Sequence, residues 1–258
     1  MEKIRKFIIL GMFVMIGIGV CGCGMKKDNG DSNKKTTGEK IAELVLNERQ
    51  KEILEEVGLP TNVEKLDYMQ KKAIIAIDEM LTAMEKKYNR SFSYSGYVAD
   101  GPLETEHLIA YPSDGDPEYD GFEVKKKDNG YEDDYMLVAI KDDYAKYVEE
   151  IMISSLHNEN IKVFADIYTT ELTDIPDNKE EYCGNVSSWK AVFIYLTDND
   201  EISKYTESIQ QILKSKNLRY DCDVIFLKEN IINKLTEYNY TDYLTSDFYV
   251  QKETIEVD

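Results

Sequence analysis

DDYAKYVEEI (142–151) and DEISKYTESI (200–209) agree at Asp, Lys, Tyr, Glu and Ile, in the same order and at the same spacing. A stretch of strand character follows each. It is Asn160-Ile161-Lys162 with Ala165-Asp166-Ile167 after the first, and Asn217-Leu218-Arg219 with Cys222-Asp223-Val224 after the second. An apolar run precedes each, MLVAI (136–140) and AVFIYL (191–196). Short apolar runs bounded by turn signals read as strands, and the amphipathic segments between them as helices. The pattern predicts β-α-β twice in succession, over 134–170 and 188–228. Tyr147 and Tyr205 then sit at matching places on their helices, and Ile151 and Ile209 turn towards the sheet. Lys146 and Lys204 point outwards, and Ala165 and Cys222 face the same side.

Two such units make the split, ferredoxin-like arrangement with both helices on one face. A last helix (228–237) and a tyrosine-rich strand (246–256) extend it. Upstream, Asn47 and Asp67 each stand three residues before a glutamine, Gln50 and Gln70, the capping-box spacing. The first of these helices ends at Gly58, ahead of Pro60. The second carries Leu66, Met69, Ala73, Ile77, Met80, Met84 and Tyr88 at three- and four-residue steps, a core-facing stripe. From Phe92 the period changes to two: FSYSGYVA (92–99), HLIAYP (107–112), GFEVKKK (121–127) and YMLVAI (135–140) suggest an antiparallel meander. The fold class is α+β: a helical hairpin and meander over 40–132, then the duplicated β-α-β region over 133–258.

The start of the chain has a different character. Lys3, Arg5 and Lys6 precede an uncharged run from Phe7 to Val20, too short for the roughly twenty residues that span a bilayer. A charged start, a short apolar stretch and small residues form an export signal. Val20-Cys21-Gly22-Cys23 resembles the lipobox of bacterial lipoprotein signal peptides, with Val20 at −3, Gly22 at −1 and Cys23 as acceptor. The resemblance implies cleavage between Gly22 and Cys23, lipidation of Cys23, and an anchor on the extracytoplasmic face of the cell membrane. It covers residues 1–24 and implies no activity. The alternative register puts Val20 before Cys21, a poorer fit for signal peptidase II. Two acyl chains hold firmly where one binds reversibly. Residues 24–39 are nearly free of apolar side chains, so 23–39 reads as lipidated cysteine and flexible tether.

The chain carries a net charge of −19, and losing residues 1–22 removes three basic residues and one acidic residue, leaving −21. Such a charge repels nucleic acid. Few prolines with abundant Lys, Asn, Ile and Tyr suggest a Gram-positive source. Export permits a disulfide, for which Cys183 and Cys222 are the pair; the alternative is a free thiol in a loop and a buried residue in a strand.

The candidate chemistry is sparse. In DGDPEYDGFEV (114–124), Asp116, Glu118, Asp120 and Gly121 match positions of a calcium-binding EF-hand loop. Its twelfth position is Lys127 instead of a bidentate glutamate, and Pro117 stiffens it, so it reads as a solvated acidic turn. His107 and His157 are the only histidines, and neither lies in a nucleophile or zinc motif. No metal or cofactor is expected. Tyr238, Tyr240, Tyr243 and Tyr249 cluster near the C-terminus, with Trp189 the single tryptophan. They read as sheet packing or as a recognition face. By elimination the expectation is a lipid-anchored extracytoplasmic binding or scaffold protein acting on an envelope protein or glycan. The alternative is a cell-wall-modifying hydrolase using a carboxylate pair. A cleft with two close carboxylates, one with a raised pKa, favours the enzyme; a tyrosine face favours binding.

Overall fold

The computed structural model describes residues 37–102, 104–197, 202–219 and 221–256. Gly22, Cys23, the tract to residue 36, and Asp200 and Glu201 of the second decamer lie outside the described residues. The chain divides into two compact units. One holds the residues up to Pro117 with Val124–Tyr131, the other Glu118–Glu123 with Glu132 onwards.

In the first unit, helices α1 (Thr37–Ala42), α2 (Glu48–Glu56) and α3 (Tyr68–Tyr88) precede strands β1 (Phe92–Val98) and β2 (His107–Pro112). The sheet continues through β3 (Phe122–Lys127) and β4 (Gly130–Asp133), in the order β1-β2-β3-β4. Residues 37–39, assigned above to the tether, are the first turn of α1. Both capping boxes are present. Asn47 Oδ1 accepts from the Gln50 N–H at 2.8 Å and Gln50 Oε1 from the Asn47 N–H at 3.1 Å. Asp67 and Gln70 repeat this at 2.8 and 3.0 Å. Helix α3 buries Ile74, Ile77, Met80, Leu81 and Met84 against α2 and β1, while Met69 is 49 % exposed. The stripe holds at Leu66, Ile77, Met80 and Met84, and Met69 is its exposed exception. Strand β2 alternates, burying Leu108, Ala110 and Pro112, as a half-covered strand must.

YMLVAI differs from expectation. Residues 135–139 form a short helix, α4 (Tyr135–Ala139), rather than a strand. An apolar run of five has no period that separates the two states, and here the Tyr135 N–H donates to Asp133 Oδ1 at 3.3 Å and starts a helical turn. The fourth strand of the meander is instead β4, GYED, whose glycine and charges conceal it.

The second unit continues with α5 (Lys141–Leu156), β5 (Ile161–Thr170), β6 (Val186–Tyr195), α6 (Ile202–Ser215), β7 (Cys222–Leu227) and β8 (Tyr249–Ile255). Its sheet has the order β5-β6-β7-β8: β5 and β6 are antiparallel, β6 and β7 parallel, β7 and β8 antiparallel. Segment β6-α6-β7 is thus a complete β-α-β unit. The first unit of the duplication supplies only the helix and the strand after it, so the ferredoxin-like arrangement lacks its leading strand and β7 pairs directly with β6.

Both helices cover the same face, over Ile161, Val163, Val192, Ile194, Val224 and Phe226. Ala165 and Cys222 are buried together on that side, as the strand alignment implies. The helices match it only in part: Tyr144 and Ile202 are both buried at corresponding places, but Ile151 and Ile209 are not alike. Helix α6 buries Ile209 and Leu213 completely, whereas α5 buries Tyr144, Val148 and Met152 completely and leaves Ile151 half-buried at the margin. One residue is about 100° of helical rotation, enough to move a side chain from the contact to its edge.

The opposite face carries Phe164, Phe193, Ile225 and Leu227, covered by Ile231, Ile232, Leu235 and Tyr240. Segment 228–237, read above as a helix, has only a 3₁₀ turn at Ile232–Lys234, with another at Tyr240–Tyr243. Asn239 is the physical reason. Its Oδ1 accepts from the Thr236 N–H at 2.8 Å and its Nδ2 donates to the Lys234 carbonyl at 3.0 Å, a local bonding pattern that competes with helix.

Candidate functional site

Within the second unit an open groove runs beside edge strand β5. Two hollows, of about 170 and 270 Å³, meet at Tyr119, Lys141 and Asp166. Four stretches remote in sequence line it: 118–122, 134–145, 164–167 and 237–241. Lys141 opens α5; its Nζ donates to the Tyr119 carbonyl at 2.9 Å and lies 3.8 Å from Asp120 Oδ1. The Tyr119 hydroxyl donates to the Tyr238 carbonyl at 3.0 Å, and the two rings meet edge-on at 5.0 Å. Tyr240 stacks flat on Phe164, 4.5 Å between centroids, with Trp189 tilted against it at 6.3 Å. Its hydroxyl donates to Asp166 Oδ2 at 3.3 Å. Burial, and then the charge of Asp166, push the Tyr240 pKa upwards, which keeps the phenol a neutral donor.

Asp142, in the first turn of α5, and Glu237 both line the smaller hollow. Burial first, and the Glu237 carboxylate second, raise the pKa of Asp142 against the opposing pull of Lys141. A like charge nearby disfavours the ionised form of a carboxyl group. Glu118 and Asp166 line the same hollow. Acids and phenols together can hold a cation or bond to hydroxyl groups. Glycoside cleavage needs carboxyls roughly 5 to 9 Å apart, with a sugar between.

The residues singled out in the sequence are dispersed. Asp116, Glu118 and Asp120 lie in the turns between β2 and β3; Glu118 faces the groove and Asp120 lies towards Lys141. Among the described residues, no group of three or more His, Cys, Asp or Glu is arranged to hold a metal ion. His107 starts β2 with Nδ1 2.8 Å from the Thr105 carbonyl oxygen, and His157 caps α5 at a left-handed φ of 53°. Cys183 and Cys222 are free thiols. Cys183 Sγ sits 3.2 Å from the Tyr147 hydroxyl, while Cys222 is sealed under the helices, where burial pushes its pKa up to about 12. Of the C-terminal tyrosines, Tyr240 is buried, Tyr243 packs on Phe248 at 4.8 Å, Tyr249 joins the outer core, and Tyr238 is exposed.

Two features were not anticipated from the sequence. One is the presence in one hollow of Asp142 and Glu237, which are 95 positions apart. The other is Lys190, fully buried in β6. Its Nζ donates to the Ser188 carbonyl at 2.9 Å, to Ser188 Oγ at 3.3 Å and to the Arg219 carbonyl at 2.6 Å. Ser188 Oγ in turn donates to the Tyr144 hydroxyl at 3.0 Å. Burial lowers the Lys190 pKa to about 8. Serine, lysine and tyrosine are the groups of a nucleophilic site, but all three are sealed from solvent. They tie β6 to the turn before β7. A charged residue inside the otherwise apolar WKAVFIYL (189–196) is the signal that marks it.

No protein-family model matches the chain, and no curated protein does. Among solved structures, the chain is similar to a DUF5037 family protein from Ruminococcus gnavus ATCC 29149, at 17 % identity and a TM-score of 0.32, over 62 % of this chain and 78 % of that one. A likeness at that level carries no argument about function.

Proposed function

We propose that the chain is a lipid-anchored extracytoplasmic binding protein, held to the membrane through Cys23 after cleavage at Gly22, with its ligand in the groove at Tyr119, Lys141 and Asp166. The lining carries this reading: two tyrosines and several carboxylates converge on an open hollow, the mix of aromatic surface and a few polar groups that small-ligand sites use. The signal resemblance supports the location, and the net charge of −19 argues against nucleic acid as the ligand.

The raised pKa of Asp142 favours a cell-wall-modifying hydrolase as a second reading. Lipid labelling of the chain in a lipoprotein-processing host tests the anchor: label is lost with Cys23→Ser and retained with Cys21→Ser. Thermal-shift screening against envelope glycan fragments and small metabolites tests the groove. A compound class that raises the Tm of the wild type but not of Tyr119→Ala is expected. Release of reducing sugar from cell-wall glycan, abolished by Glu237→Gln, favours the hydrolase instead.

A further inference from the structure

We propose that Asn129 is a site of covalent self-modification: the backbone nitrogen of Gly130 displaces its side-chain amide, and the turn between β3 and β4 passes into aspartate and isoaspartate forms. Asn129 differs from the other asparagines in what its side chain does. Asn47, Asn62, Asn158 and Asn178 each accept a backbone N–H with Oδ1 and fix a turn or a helix start. Asn239 is bonded at both ends of its amide, Asn185 donates to the Glu181 carbonyl, and Asn230 donates to Asn160. Asn129 has no such partner among the described residues. It is exposed, in the two-residue turn that joins β3 to β4.

Asparagine followed by glycine is a favoured turn sequence, and the same pair sets an electrophile beside a nucleophile. Attack of the Gly130 nitrogen on Cγ of Asn129 closes a five-membered ring. A side chain on the attacking residue crowds that closure. Gly130 has none, and a Cβ built there meets no other atom within 4 Å. The attacking nitrogen must first lose its proton to base, so water has to reach it. Asn129 and Gly130 are both exposed, and Gly130 opens a strand of only four residues, a short element whose end frays at little cost.

In the first step the bond from the Gly130 nitrogen to Cγ forms, the bond from Cγ to Nδ2 breaks, and ammonia leaves with the proton taken from the Gly130 nitrogen. One water then opens the cyclic imide. Opening at the side-chain carbonyl leaves aspartate; opening at the original peptide carbonyl leaves isoaspartate, with the main chain running through the former side chain. No oxidation or reduction occurs. The isoaspartate form adds a methylene to the main chain inside a turn whose length sets the register of its strands. Both forms add a negative charge beside Asp128, in a stretch that also carries Glu132, Asp133 and Asp134.

The test is peptide mapping of the full chain, in detergent, after incubation at mildly alkaline pH. Trypsin releases residues 128–141, in which Asn129 is the only amide side chain. The expected result is a heavier form of this peptide, its amide replaced by a carboxyl, which separates into two isomers and accumulates faster as hydroxide rises. It forms about tenfold or more faster than the deamidated forms at Asn47, Asn185 and Asn239, equivalent to about 1.4 kcal/mol in the barrier. Asn129→Gln, which needs a six-membered ring for the same step, loses the heavier form. A peptide that keeps its mass in the folded chain overturns the inference; if it converts in urea, the hairpin is what protects it. Conversion no faster than at the bonded asparagines overturns it as well.

Discussion

On one side of the second sheet, α5 and α6 lie over Val163, Val192 and Val224; on the other, the segment between β7 and β8 covers Phe164, Phe193 and Ile225 with two 3₁₀ turns. The helical side seals an ionisable group completely. Lys190 is fully buried and bonded to a hydroxyl and two carbonyls. The irregular side leaves Glu237 and Tyr240 along an open groove at the edge of β5, where the first turn of α5 adds Lys141 and Asp142. Regular helices pack by repeating contacts and leave little room between them, whereas an irregular segment touches the sheet at a few anchors, such as Tyr240, and opens hollows beside them. Chemistry exposed on loops and held by a rigid scaffold is the usual place for function.

The contrast can be broken most directly by truncation. Ile209→Ala on the helical side is expected to cost about 2–5 kcal/mol of stability in urea denaturation, the range for buried aliphatic truncations. Ile151→Ala, at the margin of the same core, costs less than about 2 kcal/mol, and Tyr238→Ala at the groove about 1 kcal/mol or less. Equal losses at Ile209 and Tyr238 would falsify the distinction between a sealed and an open face.

A smaller effect separates the two sides by pH. The Lys190 pKa is about 8 in the folded chain, against 10.5 for a free lysine. Between those values the unfolded chain binds a proton that the folded chain does not, so stability rises with pH. Below pH 8 both states carry the proton and the slope vanishes. From pH 9 upwards Cys222 acts in the opposite sense, because its thiol pKa rises from 9.0 to about 12 on folding. Over pH 8 to 9 the gain from Lys190 is about 1 kcal/mol. Lys190→Met should flatten urea-denaturation stability across that interval, and a wild-type slope that survives the substitution sinks the assignment.

The smallest expected effect is none. Asp116→Asn with Asp120→Asn should leave the response of the Tm to millimolar calcium unchanged, because the turn lacks a bidentate glutamate at its twelfth position. A calcium-induced rise of several degrees in the wild type, absent from the double variant, would make that rim a metal site.

Local signals were legible in the sequence. Asn47 with Gln50 and Asp67 with Gln70 form their capping boxes because every partner lies within three residues. The alternation in HLIAYP survives because one face of β2 is covered and the other is not. MLVAI misled because a five-residue apolar run fits either state, and Asp133 decided it by starting a helix. The two helices diverge at Ile151 and Ile209 because identity at Lys146 and Lys204 records exposed positions, which do not fix the packed side. The groove was not legible at all. Asp142 meets Glu237, and Tyr240 meets Phe164 and Asp166, only once the strand order is known.

The C-terminal segment that closes the outer face also supplies one wall of the groove, at 237–241. Occupancy and local opening of that segment are therefore thermodynamically linked. A ligand present at a hundred times its Kd adds about 2.7 kcal/mol to the cost of any opening that destroys the site. Amide exchange at Ile231, Ile232 and Leu235, which line the outer core and not the groove, should slow accordingly when the groove fills. The segment then serves as a built-in reporter, able to reveal a bound ligand before that ligand has been identified.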